Sequence, residues 1–204
     1  MLLVRFFYAS ILSSGSLGNF TLGLMGCPGI AALLTQFLFN RSLKGLGWKF
    51  KPFRYLVVAY FLPIGYGLLV YGLVWLSGAA PFNAQELARQ VSAQTGQSLS
   101  TFNFLLSHVI NMATVGMLFS TFAALGEEIG WRGLLVKELI GVGSFTSAAL
   151  ISGIIWAIWH FPLILFADYH NPDVPVWFGL VCFTIMVLGI SFAMAWFRLK
   201  SESM

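Results

Sequence analysis

Five apolar runs, each long enough to cross a lipid bilayer, dominate this sequence. A spanning helix needs about 20 mostly apolar residues. Residues 20–39, 55–76, 102–140, Phe145–Phe166 and 176–197 all meet that requirement. A water-soluble chain could not solvate them. Of the 204 residues, 58% are hydrophobic and only 9% are charged, against roughly 25% charged in an ordinary soluble domain. Lipid leaves no water for unpaired backbone groups, so the spans must be helical. The expected fold is all-α: a polytopic transmembrane helix bundle with about five spans in a single membrane domain, residues 1–204. No repeat, low-complexity tract or second domain interrupts it.

The charges order these spans. The net charge is +4, from eleven Lys and Arg against seven Asp and Glu. The excess is local: Arg41, Lys44, Lys49, Lys51 and Arg54 share one short segment without an acid. Apolar runs border it on both sides, so it is no nucleic-acid patch. It reads as a cytoplasmic loop that suits anionic lipid headgroups. The polar stretch 77–100 then falls outside as a loop, the Gly-rich turn 141–144 inside, and the loop 168–173 outside. Arg198 and Lys200 close the last span inside. Residues 1–18 carry one Arg and a short apolar run broken by Ser13, Ser14, Gly15 and Ser16, too short for a span and without a cleavable signal pattern. Pro28, within Gly26-Cys27-Pro28-Gly29, should kink the first span. Cys27 and Cys182 match no metal or redox spacing and read as small buried hydrophobes.

Chemistry concentrates in the third run. Glu127, Glu128 and Arg132 follow some twenty apolar residues, and ionisable groups at membrane depth cost at least ~2.5–3.5 kcal/mol each. Glu128 and Arg132 stand at i, i+4 in the favourable order for a helical ion pair. Glu127, about 100° round the helix, has no local counter-ion. A purely structural alternative is a buried salt bridge with a spare carboxylate. His160 is the second element, sharing one stripe of the fourth span with Gly153 and Trp156. The third and fourth helices should form an antiparallel hairpin. Glu127 lies about 16 residues before its turn and His160 about 17 after it, so both sit roughly 24 Å from the turn. Gly126, Gly130 and Gly133 form a small-residue stripe that permits close helix approach. A carboxylate and an imidazole at one level can hold a water between them and deprotonate it for attack on an amide. That depth is large for a ~30 Å core, so either the turn protrudes or water enters a cavity. No His-Glu-x-x-His, Gly-x-Ser-x-Gly or phosphate loop is present.

The block Glu127-Glu128-Ile129-Gly130-Trp131-Arg132-Gly133, with Trp156-x-x-x-His160-Phe161-Pro162-Leu163 after it, resembles the CPBP family: type II CAAX prenyl endopeptidases and bacteriocin-processing enzymes, also called Abi. The likeness covers roughly residues 101–200, a catalytic core within 101–204. It implies an intramembrane endopeptidase in which Glu127 activates water, His160 shares that water, and Glu128 and Arg132 support them. The family usually has Phe at the Trp156 position, an aromatic exchange expected to be neutral. The resemblance leaves open zinc, with Glu127 and His160 as ligands, or metal-free water activation; two ligands are fewer than the three usual for catalytic zinc. The implied partners are the bilayer and a membrane-associated peptide or protein substrate, with no nucleic acid, and the implied location is a bacterial inner membrane. The family's further helix with His-x-x-x-Asn has no counterpart up to Met204, which leads to the expectation of a C-terminally truncated core. Two other readings compete: a non-catalytic immunity or scaffold protein with the same fold, and a transporter using Glu127 and His160 as a proton relay.

Overall fold

A computed structural model describes residues 2–14, 18–49, 52–96, 100–167 and 169–203. Gly15, Ser16, Lys51 and Asp168 lie outside the described residues. The described chain is helical, without a β-strand; one isolated antiparallel bridge pairs Trp48 with Ser203. The helices are α1 (Leu2–Ser14), α2 (Gly18–Asn40), α3 (Phe53–Leu76), α4 (Ala84–Thr95), α5 (Thr101–Val142), α6 (Phe145–Phe166) and α7 (Val176–Ser201). Five of them, α2, α3, α5, α6 and α7, are long and apolar enough to cross a membrane, and the protein is an integral membrane protein. α1 is apolar but shorter than a span.

One polar stretch departs from expectation. Residues 77–100 are not all loop, because they contain α4. Asn83 caps it by accepting the Glu86 amide at 3.1 Å, and Gly96 ends it in the left-handed region at φ 68°, where glycine meets no Cβ penalty. Glu86 also accepts from Arg89 and Gln90 one turn on. Arg89 and Gln90 hold the Glu86 carboxyl down at about 2.

The chain packs as two compact units: residues 53–122, and residues 1–52 together with 123–204. In the first, the Tyr60 hydroxyl donates to the Ala113 carbonyl at 2.9 Å. In the second, α6 and α7 pack most extensively. Gly153 meets Leu188 and Ser191, and the Ser152 and Ser191 hydroxyls lie 3.0 Å apart. Small and hydroxyl residues are how helices approach closely in lipid. α6 begins at a reciprocal cap: Ser144 accepts the Ser147 amide at 3.1 Å, and Ser147 accepts the Ser144 amide at 2.9 Å. Cys27 is buried as expected; Cys182 is exposed on α7, so it is not a core residue.

α5 runs unbroken for 42 residues, roughly 60 Å at ~1.5 Å per residue, against a ~30 Å hydrocarbon core. Part of it must therefore lie beyond the hydrocarbon. Two stretches of it, Met112–Gly116 and Ile129–Leu135, wind as π-helix. Such turns are rare and recur at functional sites.

Candidate active site

The second π stretch follows directly on Glu127 and Glu128, and each carboxylate finds a partner four residues ahead. Arg132 Nη1 lies 2.7 Å from Glu128 Oε1, the ion pair expected from the i, i+4 spacing. Trp131 Nε1 donates to Glu127 Oε2 at 3.3 Å. Glu127 and Arg132 are 4% and 2% exposed, deep enough that an unpaired charge would be costly.

Glu127 is not left without partners. Besides Trp131, the Trp156 indole N–H from α6 donates to the same Oε2 at 2.7 Å. Helical spacing offers Glu127 no cation; its partners are neutral donors instead. Trp131 was findable at i+4. Trp156 stands at the level of Glu127 and His160 by residue count, but the sequence does not tell that its indole N–H turns to the carboxylate rather than to packing. Trp156 thus brings Glu127 a donor that a phenyl ring at the same position would lack.

His160 stands at the level predicted for it, with Nε2 4.0 Å from Glu127 Oε1. Its Nδ1 lies 3.0 Å from the Trp156 carbonyl. A carbonyl only accepts, so Nδ1 carries a proton, and Nε2 is the ring nitrogen turned toward Glu127. Tyr169, Phe183 and Trp156 surround the imidazole at 5.2–6.1 Å between ring centroids. The pair thus divides the Glu127 carboxylate: Oε2 receives two N–H groups, and Oε1 faces the histidine across a gap too wide for a direct hydrogen bond.

The glycine stripe does other work than the hairpin predicted. Gly126 and Gly130 face α2 rather than α6. A β-carbon on Gly126 would come 2.8 Å from Gly26 Cα, and one on Gly130 would come 2.5 Å from Pro28 Cβ. Gly26-Cys27-Pro28-Gly29 is therefore where α2 meets the site-bearing turn of α5. α7 reaches the same turn by Arg198, whose Nε donates to the Arg132 carbonyl at 3.1 Å and whose Nη2 donates to the Gly45 carbonyl at 2.9 Å. The π register ends where the Val136 amide bonds the Trp131 carbonyl. A change from i→i+5 to i→i+4 bonding leaves one carbonyl over, and an outside donor arrives there. From α1, Tyr8 donates to the Trp159 carbonyl and its ring lies against the Trp159 indole; Trp159 meets Trp131 edge-on at 5.7 Å.

The donor set does not fit catalytic zinc as it stands. Among the described residues no cluster of three His, Cys, Asp or Glu forms, and Glu127 Oε1 with His160 Nε2 offers two ligands, fewer than the three usual for catalytic zinc.

Residues 109–204 match the family described as type II CAAX prenyl endopeptidase Rce1-like. A curated relative, CAAX prenyl protease 2 of Methanococcus maripaludis, is 32% identical over 116 residues, which cover 55% of this chain and 42% of the relative. The chain thus spans less than half the length of that relative. No solved structure matches the chain. Residues 109–204, the part of the chain that carries the Glu127–His160 pair, are thus similar to the type II CAAX prenyl endopeptidase Rce1-like family.

Proposed function

We propose that this protein is a membrane endopeptidase of the CAAX-processing type, in which Glu127 and His160 activate a water for attack on a peptide bond. The observation that carries the reading is the 4.0 Å gap between Glu127 Oε1 and His160 Nε2. A water placed at about 2.8 Å from both atoms, an ordinary hydrogen-bond length, fits that gap with a bent geometry. It would donate one hydrogen to each and turn its lone pairs outward. As the water oxygen bonds the amide carbon, its proton passes to Glu127 Oε1; the same proton then passes to the departing amine nitrogen as the C–N bond breaks. His160, held by the Trp156 carbonyl, orients the water. The indole groups of Trp131 and Trp156 both serve Glu127, so neither is aimed at the oxyanion of the tetrahedral intermediate. The substrate is a membrane-associated peptide or protein, and the water activation is metal-free.

The test is cleavage of a quenched, prenylated peptide ending in a CAAX sequence by the full-length protein in detergent. Glu127→Gln and His160→Ala should each abolish cleavage while the protein still inserts and melts cooperatively. Cleavage surviving either change removes that residue from the mechanism.

A further inference from the structure

Trp156 touches both halves of the candidate site, by two different groups. Its side-chain N–H donates to Glu127 Oε2 at 2.7 Å, and its backbone carbonyl lies 3.0 Å from His160 Nδ1. The first bond sets the rotation of the carboxylate, leaving Oε1 toward the histidine. The second puts a proton on Nδ1 and sets the ring orientation, leaving Nε2 toward Oε1. The indole is itself held. The Arg132 guanidinium carbon lies 4.2 Å from the Trp156 ring centroid, within cation–π range, and Glu128 fixes Arg132 at 2.7 Å. Glu128, Arg132, Trp156 and Glu127 form one continuous chain of contacts, so the second carboxylate of the motif reaches the first through a tryptophan.

We infer that Trp156 is the positioning residue of this site: its N–H aims Glu127, its carbonyl aims His160, and the Glu128–Arg132 pair acts on the water-activating carboxylate by pinning the Trp156 ring. The inference rests on the assignment of Glu127 and His160 as the water-activating pair. It explains why this site carries an ion pair that never touches the water. It also gives Trp131 the lesser share of the work, since its bond to the same oxygen is the longer one, at 3.3 Å.

The experiment isolates one hydrogen bond. Trp156→Phe keeps an aromatic face for Arg132 and the backbone carbonyl for His160, and removes the N–H together with part of the ring. A hydrogen bond to a charged group carries enough energy that its loss should lower kcat about tenfold to a hundredfold. KM should stay unchanged while kcat falls, and the melting temperature should drop, since a buried carboxylate loses one of its two donors. Benzothienylalanine at position 156, with sulfur in place of the N–H in a ring of the same shape, should reproduce the Phe result even if Trp156→Phe folds poorly. A second readout needs no turnover. The Trp156 indole N–H resonance, identified by its disappearance in Trp156→Phe, should move in Glu127→Gln. Wild-type kcat in both position-156 variants, with Glu127→Gln inactive, overturns this inference and leaves the Glu127 assignment standing. An active Glu127→Gln overturns that assignment instead. An indole resonance indifferent to Glu127→Gln shows that the bond is absent and removes the basis of the inference directly.

Discussion

Gly130 lies directly on Pro28: a β-carbon on the glycine would come 2.5 Å from the proline's Cβ and 2.7 Å from its carbonyl carbon. Two helices distant in sequence touch here through the bare backbone of one and the proline of the other, one turn from Glu127.

That contact predicts opposite outcomes for two glycines. Gly130→Ala should destabilise the protein by on the order of 1–3 kcal/mol, because proline and backbone atoms cannot yield as a flexible side chain does. Gly26→Ala, whose β-carbon meets nothing within 4 Å, should be neutral or stabilise by up to about 1 kcal/mol through the entropy a helical glycine otherwise loses. Thermal melting of both variants in one detergent checks the contrast; equal melting temperatures would refute the packing.

Arg132→Ala should harm folding. It strands Glu128, whose side chain is 16% exposed, and it removes the cation lying on Trp156. Breaking a buried pair by deleting one partner costs on the order of 3–5 kcal/mol. A melting temperature equal to that of the parent would mean that Glu128 finds its partner elsewhere.

Arg198→Ala should loosen the π turn. The part-buried Arg132 carbonyl would lose its donor, at about 1–3 kcal/mol if left dry, while the exposed Gly45 carbonyl would turn to solvent. Amide hydrogen exchange should quicken in residues 133–137, while α6 keeps its protection. Unchanged exchange in that stretch would show that the guanidinium holds nothing. Arg198→Lys should recover only part of the effect, since an ammonium cannot reproduce the planar fork that reaches both.

Chelators should leave peptide cleavage intact. The reading of a metal-free site rests on a two-donor set, Glu127 and His160, whose carboxylate already accepts two indole N–H groups. Full loss of activity in 1,10-phenanthroline, restored by added zinc, would overturn it.

Much of this protein is legible one residue at a time. The bounds of α6, Phe145–Phe166, follow from hydropathy and from the Ser144 cap, and the Glu128–Arg132 pair follows from helical spacing. Even the common level of Glu127 and His160 follows from counting residues on either side of a turn, because helical rise is constant. These properties are local, or repeat with a fixed period, so a linear string carries them. The α4 helix was hidden because its few charges and glutamines are also what a loop would have.

What only the tertiary structure decided is which groups meet. Gly126 and Gly130 could have served any neighbouring helix; they serve α2, where Gly26-Cys27-Pro28-Gly29 comes too close for a side chain between. The partners of Glu127 are tryptophans, which a hydropathy pattern counts as lipid-facing bulk, and Arg198 reaches a carbonyl that α5 leaves over where its winding changes. In each case a donor or a hollow on one helix meets its complement far away in the chain. Such complementarity depends on rotation and distance between helices, and those are set by packing rather than by period.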